Sequence, residues 1–302
     1  MNPLEQARFN PLYEQMQQAL LLQGKRPKTI DAYTRAIRRV AGYFVRCPDN
    51  LTAAELRDYF ASLVKTHSWS TVKLDRNGIQ FFYRHVLDKP WDWVKIVKPP
   101  QVRSLPDILT RVETLEVINV VRKLHYRVFF LTIYSMGLSL GEGLQLEVGD
   151  IDGTRHRVHI RSAKGGNDRY VPLPEVTLDV LRRYWATHRH PKLLFPSSRG
   201  GVQEMHRAPS PMDRGGVQLA IKAAVADCGI RRKITSHSLR HCFTTHLLEL
   251  GVDLREIQMI LGHARPETTA RYAHLTEVTS ANAVKQLQQM FHAFSIRWED
   301  AA

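Results

Sequence analysis

The residue types best suited to chemistry are concentrated between positions 235 and 274. His237 and Arg240 stand three residues apart, a spacing that places both on one face of a helix. His263 directly follows a glycine that would end the next helix, and Tyr272 comes nine residues later. Free backbone N–H groups at a helix start attract an anion, and arginine adds a two-pronged donor for phosphate. The segment therefore predicts a phosphate-binding site with a tyrosine close to it in sequence.

A tyrosine beside such cations is suited to attack a phosphodiester. Its hydroxyl has a pKa near ~10, so cationic groups must help it to act as a nucleophile. The attack gathers charge on the non-bridging phosphate oxygens, where Arg240, His237 and His263 can stabilise it. The departing hydroxyl needs a proton, and Lys164, in a predicted hairpin turn, is a candidate donor. Because a phosphotyrosine link keeps the energy of the broken bond, this reaction predicts no cofactor.

The same histidines permit a rival interpretation as a zinc site. His237 and His241 are four residues apart, as in the HExxH motif of zinc proteases. Position 238 is a serine, so the glutamate base of that motif is missing, and no third ligand is evident downstream. With 14 histidines in the chain, one such pair is expected by chance. We therefore predict that no metal is bound.

Hydrophobic periodicity indicates helices on both sides of a proline-rich segment. Before it, apolar residues at three- and four-residue spacing predict helices over Leu12–Leu22, Lys28–Phe44, Ala53–His67 and Ser70–Leu87. After it, the same spacing predicts helices over Arg111–Leu124, Tyr126–Tyr134, Pro174–His188, Arg214–Cys228, Ser236–Leu250, Asp253–Leu261 and Thr279–Phe294. Alternation over Arg155–Arg161 and again over Tyr170–Leu173 predicts a β-hairpin. The predicted fold is mainly α with a small β-hairpin or sheet.

The proline-rich segment Val97–Pro106 divides the chain. It contains three prolines, which remove backbone donors and disfavour helix in the residue that precedes them. We predict a helical N-terminal domain at residues 1–96, a linker at 97–109 and a mixed α and β domain at 110–302. A chain of 302 residues is long for a single core, which agrees with two domains.

Charge and composition restrict the class of protein. The 43 lysines and arginines exceed the 29 acidic residues and give a net charge of +14, which favours a polyanionic partner such as nucleic acid. The 43% hydrophobic content excludes a disordered chain, and no apolar run approaches the ~18 residues of a membrane span. With no apolar signal segment and only three separated cysteines, we expect a cytoplasmic protein without membrane contact or disulfides.

Two basic stripes in the N-terminal domain are candidate DNA-binding surfaces. The first follows the fourth predicted helix, opposite its apolar face, and the second lies on the second predicted helix. A solvated helix face is the alternative for either stripe alone, but two stripes in one domain favour a surface that faces DNA. The candidates are Lys73, Arg76, Asn77, Gln80 and Arg84 in the first stripe and Arg35, Arg38 and Arg39 in the second.

Several motifs together resemble the catalytic boxes of tyrosine recombinases, the phage-integrase-like site-specific recombinases. Lys164, followed by Arg169-Tyr170-Val171-Pro172-Leu173, resembles the hairpin lysine of that family, and Gly137–Leu146 with Asp150 resembles its first box. Alone, a tyrosine or a turn lysine would have no special meaning, whereas their joint order is far more specific. The later boxes are His237-Ser238-Leu239-Arg240-His241, Leu261-Gly262-His263 and Tyr272 within Thr268–His274, so that the resemblance covers nearly the whole chain.

The resemblance implies both a fold and an activity. The N-terminal helices would form the family's SAM-like core-binding domain, which closes with the catalytic domain as a clamp around double-stranded DNA. Four protomers would act on two sites with inverted repeats through a Holliday junction. The helix predicted over Thr279–Phe294 has an apolar face, which could pack on its own domain or dock into a neighbouring protomer. The implied function is integration, excision or resolution of mobile elements by an Xer-like or transposon-associated recombinase. Tyr272 would form a 3′-phosphotyrosyl link, assisted by Arg240, His237, His263 and Lys164.

The chain departs from the family in the first box, where Ser139 stands at the position of an arginine. Serine offers one hydroxyl in place of a charged fork, so we expect cleavage slowed on the order of a hundredfold and faster cleavage by Ser139→Arg. Arg127, Arg155 or Arg161 are alternative donors for this position. Two alternatives to an efficient recombinase stay open: a DNA-binding family member with impaired catalysis, and a relaxing enzyme similar to type IB topoisomerases.

Overall fold

Two compact units make up the chain, Met1–Arg103 and Ser104–Ala302. The computed structural model describes residues 1–91, 107–161, 168–262, 283–292 and 294. The division between the units lies inside the segment 97–109, for which the sequence predicts a linker, although residues 92–106 are outside the described part. Each unit has a hydrophobic core of its own.

The first unit is built from four helices. Three of them are capped at their N-terminus by a side chain that accepts a backbone N–H of the first turn. These caps are Asn2, Thr52 and Ser68. Their apolar faces form one core with the remaining helix. The helices are α1 (Pro3–Leu22), α2 (Pro27–Phe44), α3 (Ala53–Thr66) and α4 (Trp69–His85), with a 3₁₀ turn at Pro48–Asn50.

Helices α2 and α4 pack closely because α4 carries a glycine at their contact. A Cβ atom at Gly78 would lie 3.0 Å from both Ala36 Cβ and Tyr33 O. Any larger residue at position 78 would push the two helices apart. This contact fixes the spacing of the two helices that carry the basic stripes.

The second unit is mainly helical and has one small sheet. Among the described helices of the chain, none is long and apolar enough to cross a membrane. The elements are α5 (Arg111–Asn119), α6 (Leu124–Ser135), α7 (Leu140–Leu144), β1 (Ile151–Asp152), β2 (Arg157–Ile160), β3 (Arg169–Pro172), α8 (Glu175–His188), α9 (Arg214–Asp227), α10 (Ser236–Glu249), α11 (Leu254–Leu261) and α12 (Ala283–Phe291), with 3₁₀ turns at Val148–Asp150 and Val202–Arg207.

The sheet is antiparallel with the order β1-β2-β3. Strands β2 and β3 form the predicted hairpin, with Val158 opposite Val171 and Ile160 opposite Arg169. The valines and Ile160 are buried, so the inward face of the hairpin packs on the core. The two-residue strand β1 pairs Ile151 with Val158. It is too short to leave a periodic signal in the sequence.

Helices α6 and α10 form the centre of this unit. Arg127–Ser135 of α6 are all buried, and Tyr134 forms a hydrogen bond with His246 Nδ1 of α10 at 2.7 Å. The apolar face of the C-terminal helix, predicted for protomer contacts, packs on the same tyrosine: the rings of Phe291 and Tyr134 are 5.1 Å apart. Leu287, Met290, Phe291 and Phe294 are buried within their own unit. This face is therefore occupied inside the chain.

Some helix limits differ from those that the sequence predicts. Helix α1 begins at Pro3, nine residues before the predicted start at Leu12, because Asn2 caps it there. The helix therefore includes Pro11. The helix predicted over Arg111–Leu124 ends at Asn119, and α6 begins at Leu124. Helix α7 was not predicted, because its five residues include two glycines.

Candidate active site

Arg240 is fixed where α10 meets the end of α11. Its side chain is only 9% exposed. The Nη2 atom donates to Leu261 O at 2.6 Å, and Nη1 donates to Glu142 Oε2 at 3.1 Å. Leu261 is the last residue of α11 and the first residue of the Leu-Gly-His motif. The guanidinium of Arg240 therefore connects three of the sequence motifs.

Glu142 of α7 holds a second arginine from the hairpin. Arg169 Nη1 donates to Glu142 Oε1 at 2.6 Å, and Arg169 Nε donates to Ile260 O at 2.7 Å. The side chains of Arg169 and Glu142 are 10% and 11% exposed. Two guanidinium groups around one carboxylate leave a net positive charge, which suits an anionic ligand.

The pKa of Glu142 reflects these contacts. Burial by itself raises the pKa, but the hydrogen bond and charge of Arg169, the backbone N–H of Ser139 and the charge of Arg240 lower it more. The net shift is downward, so the carboxylate is ionised when the two arginines are in place. Glu142 and Arg169 occur in the motifs but were not candidate site residues. The spacing of Ser139 and Glu142, which is that of a capping box, is the signal that would have located the glutamate.

Ser139 lies beside the ion pair of Arg240. It caps α7: its Oγ accepts from Glu142 N at 3.3 Å, and its own N–H donates to Glu142 Oε2 at 2.7 Å. The same carboxylate oxygen accepts from Arg240. Position 139, for which the resemblance predicts an arginine, is therefore close to Arg240 in space. The serine hydroxyl is engaged in capping the helix.

His237 lies exposed on the first turn of α10. Its ring packs edge-on against His241 at 4.5 Å between centroids. Helix α10 begins at Ser236, as the sequence predicts, and Thr235 before it is the cap. In the described part of the chain, no group of three or more His, Cys, Asp or Glu side chains is arranged to hold a metal ion.

Three predicted catalytic residues fall outside the described residues. They are Lys164, His263 and Tyr272. The described chain stops on either side of the hairpin turn at 161 and 168, and it stops at Gly262 after α11. Their catalytic roles therefore stay predictions.

The three arginines proposed as substitutes for a first-box arginine contact other parts of the unit. Buried Arg127 donates from Nε and Nη2 to Val121 O at 3.1 and 2.9 Å. Arg161 Nε donates to Asp150 Oδ1 at 2.5 Å, and Arg155 pairs with Asp152. These contacts lie outside the segment 137–146.

The predicted DNA-binding residues of α4 differ in exposure. Lys73 and Arg84 are exposed, whereas Arg76, Asn77 and Gln80 are partly buried. The helix presents its two most accessible cations about three turns apart. All five residues keep the DNA-binding role as a prediction.

The stripe on α2 contains one arginine that serves the core of the first unit. Arg39 Nη1 pairs with Asp75 Oδ1 at 2.5 Å, and Asp75 also accepts from Tyr59 OH at 2.6 Å. Asp75 is buried, so Arg39 compensates its charge. Arg35 pairs with Asp31 one turn away, and Arg38 lies over the Tyr13 ring. Arg35 and Arg38 are exposed.

Comparison with known proteins identifies the family. A sequence profile of the phage integrase family matches residues 103–278, more than half of the chain. The chain is a tyrosine recombinase of the phage integrase family. A profile of the phage integrase N-terminal SAM-like domain matches residues 12–93 of this recombinase.

Curated relatives extend over most of the recombinase. It is 31% identical over 274 residues to a putative integrase/recombinase of Sinorhizobium fredii, which covers 90% of this chain and 86% of that protein. It is 32% identical over 272 residues to the tyrosine recombinase XerA of Thermococcus kodakarensis, with 88% and 92% covered. The predicted family is therefore confirmed.

Solved structures share the fold. The XerH site-specific recombinase bound to its difH substrate in a pre-cleavage complex has a TM-score of 0.66 at 20% identity, covering 87% of this chain and 82% of that chain. A lambda integrase tetramer bound to a Holliday junction has a TM-score of 0.67 at 18% identity, covering 88% and 82%. The predicted fold class is confirmed: a mostly helical recombinase with a three-stranded antiparallel sheet, an N-terminal SAM-like domain and a C-terminal catalytic domain.

Proposed function

We propose that this recombinase cuts and rejoins DNA at specific sites through a 3′-phosphotyrosyl intermediate. The observation that carries the proposal is the fixed guanidinium of Arg240, bound to Glu142 and to Leu261 O where three recombinase motifs meet. A buried, doubly held arginine is preorganised to stabilise charge that develops on a phosphate. The net positive charge of +14 supports a DNA partner.

The reaction assigns one role to each predicted catalytic residue. The Tyr272 hydroxyl gives its proton to solvent water, and its oxygen bonds to the scissile phosphorus while the bond from phosphorus to the 5′ oxygen breaks. Lys164 gives a proton to the departing 5′ oxygen. Arg240, His237 and His263 stabilise the charge on the non-bridging oxygens. Rejoining reverses these steps with the 5′-hydroxyl of the partner duplex, so neither ATP nor a metal ion takes part.

The assembly follows from the same reaction. Exchange between two duplexes needs protomers on both, and we propose a homo-tetramer on two sites with inverted repeats that passes through a Holliday junction. The lambda integrase tetramer of similar fold supports this arrangement. The predicted contact between protomers through the C-terminal helix stays a prediction, and within the single chain Leu287, Met290 and Phe291 of α12 are buried in their own unit.

Covalent capture from a random DNA library tests the proposal. Duplexes with a randomised core and a nick on one strand are incubated with the full chain. The mixture is then denatured in detergent, and the DNA that stays linked to protein is sequenced. We expect linked DNA to contain inverted repeats, and Tyr272→Phe to retain DNA binding but yield no linked DNA, because only the attacking oxygen is removed. Binding without any linked DNA from the unmodified chain would favour the impaired DNA-binding alternative. Linked DNA in the Phe variant would exclude Tyr272.

Products on plasmids separate recombination from relaxation. The recovered sequence is placed twice on one supercoiled plasmid and once on a control plasmid. Crossover products from the two-site plasmid would support a recombinase. Relaxation of both plasmids without crossover would favour the enzyme similar to type IB topoisomerases.

A further inference from the structure

Arg214, the first residue of α9, lies against the short helix α7. A Cβ atom built on Gly141 would be 3.4 Å from Arg214 Nη2. Gly141 is the neighbour of Glu142, which holds Arg240, and it is two residues from Ser139. The guanidinium of Arg214 therefore lies on the segment from which a first-box arginine is missing.

Packing on α6 fixes the two elements that bring Arg214 to this position. A Cβ atom at Gly216, in the first turn of α9, would lie 2.3 Å from the Tyr126 hydroxyl oxygen. A Cβ atom at Gly143 of α7 would lie 2.6 Å from Ile133 Cγ2. Because glycine allows both close approaches, the first turn of α9 and the last turn of α7 pack on one side of the same helix. The contact between Arg214 and Gly141 follows from this packing.

Within the described residues, no hydrogen bond or ion pair accounts for the position of Arg214. Its natural acidic neighbour is Asp213, but Asp213 Oδ2 accepts from Gly216 N at 2.8 Å as the cap of α9. Among the described residues Arg214 has no hydrogen bond or ion pair, and it is exposed. By contrast, Arg127, Arg155 and Arg161 each bind a carbonyl or carboxylate. Because Arg214 is exposed, lies against α7 and is unpaired within the described part of the chain, it is available to an anion.

We propose that Arg214 donates to the scissile phosphate in place of the arginine that Ser139 replaces. This proposal rests on the proposed strand-cleavage function and makes Arg214 a further catalytic residue. Two arginines, Arg169 and Arg240, already share the single carboxylate of Glu142. Arg214 adds a third guanidinium from a different element. In this proposal, the positive charge that a first-box arginine at position 139 would supply is provided by Arg214 of α9.

The contribution of Arg214 is measured by the rate of single-turnover cleavage. The substrate is the captured sequence as a nicked duplex, which traps the cut strand on the protein. We expect Arg214→Ala to slow cleavage about a hundredfold, because one preorganised donor to the developing charge is lost. The dissociation constant should change by less than about threefold, since many other basic groups hold the backbone. The matched control is Lys222→Ala, which removes one exposed charge further along α9. It should cleave at the unmodified rate.

Two further measurements distinguish catalysis from a structural role. In the Arg214→Ala background, Ser139→Arg should restore cleavage at least about tenfold. In the otherwise unmodified chain, Ser139→Arg should accelerate cleavage by less than about threefold, because Arg214 already supplies the charge; this differs from the acceleration that the sequence by itself predicts. On a duplex with a neutral methylphosphonate at the scissile position, Arg214→Ala and the unmodified chain should differ by less than about threefold, because no anionic charge remains to be stabilised.

The outcomes separate this inference from the proposed function. Cleavage by the unmodified chain with an equal rate for Arg214→Ala would overturn the role of Arg214 and leave the recombinase proposal standing. A defect of equal size on phosphate and methylphosphonate DNA would also overturn it, as would strong acceleration by Ser139→Arg alone. Absence of any protein-linked DNA from the unmodified chain would reject the proposed function and, with it, this inference.

Discussion

Arg240 and the backbone N–H of Ser139 donate to the same carboxylate oxygen of Glu142, at 3.1 and 2.7 Å. The other oxygen accepts from Arg169. One carboxylate thus holds the cap of α7, the second-box arginine and the hairpin strand together. The position of Arg240, a predicted catalytic residue, therefore depends on Glu142, which lies 98 positions away in the chain.

Replacing Glu142 by glutamine should affect stability and cleavage together. The change leaves two nearly buried guanidinium groups without a counter-charge, which we expect to lower the free energy of unfolding by about 3 kcal/mol. Cleavage should slow because Arg240 is no longer fixed. Urea unfolding and single-turnover cleavage measure the two effects. Glu175→Gln, at an exposed site in the first turn of α8, is the control and should match the unmodified protein. Equal stability of both variants would show that Glu142 does not hold the cluster.

The stability of the second unit should fall in mild acid because of His188. Burial, followed by the positive charges of His190 and His206 when protonated, lowers the pKa of His188 to about 4. Its unfolded value is near 6.5, so the unfolded chain binds an extra proton between about pH 4 and pH 6.5. Stability therefore rises with pH across this window and is lost as the pH falls through it, by up to about 1.4 kcal/mol per pH unit.

The variant His188→Asn isolates this contribution. Nδ1 of His188 accepts from His190 N at 3.1 Å, and the asparagine oxygen can take that hydrogen bond without titrating. The unfolding free energy, measured in urea at a series of pH values, should depend less steeply on pH between 4 and 6.5 than in the unmodified chain. A parallel pair of curves would mean that His188 titrates normally in the folded protein.

DNA binding should depend on salt through the cations of α4. Alanine at Lys73, Arg76 and Arg84 together should reduce the slope of log Kd against log salt by up to about 3, one for each phosphate neutralised. Lys25, Arg57 and Lys65, three exposed cations elsewhere in the unit, form the control triple. Fluorescence anisotropy with labelled duplex DNA gives both slopes. If both triple variants have the same slope, α4 does not face DNA.

Arg39 and Arg38 are neighbours on α2, and their replacement should have different effects. Arg39→Ala leaves buried Asp75 without its cation, and we expect a loss of about 2 kcal/mol in unfolding free energy. Arg38 is exposed over the Tyr13 ring, so Arg38→Ala should cost less than about 1 kcal/mol but weaken DNA binding. Thermal unfolding and anisotropy separate the two effects. If Arg39→Ala keeps its stability but binds DNA more weakly, Arg39 contributes to DNA binding and does not mainly stabilise the core.

The sequence by itself determined the family, the order of the motifs and nearly all of the helices. Periodicity and caps act between residues a few positions apart, so α2, α10 and the β2–β3 hairpin can be predicted from local sequence. The motif residues are likewise linear patterns. Helix α7 was missed because five residues with two glycines carry no periodic signal, although its serine cap and glutamate were visible.

The tertiary structure alone decided which charged residues meet. Glu142 and Arg240 are 98 positions apart, and Arg39 and Asp75 are 36 apart. Nothing in local sequence distinguishes Arg39, which compensates a buried carboxylate, from exposed Arg38 beside it. The position of Arg214 against α7 depends on two glycines that let separate elements approach α6. Long-range pairing is set by how the core packs, because side chains with the same charge and helix propensity acquire different partners only after the helices are in place.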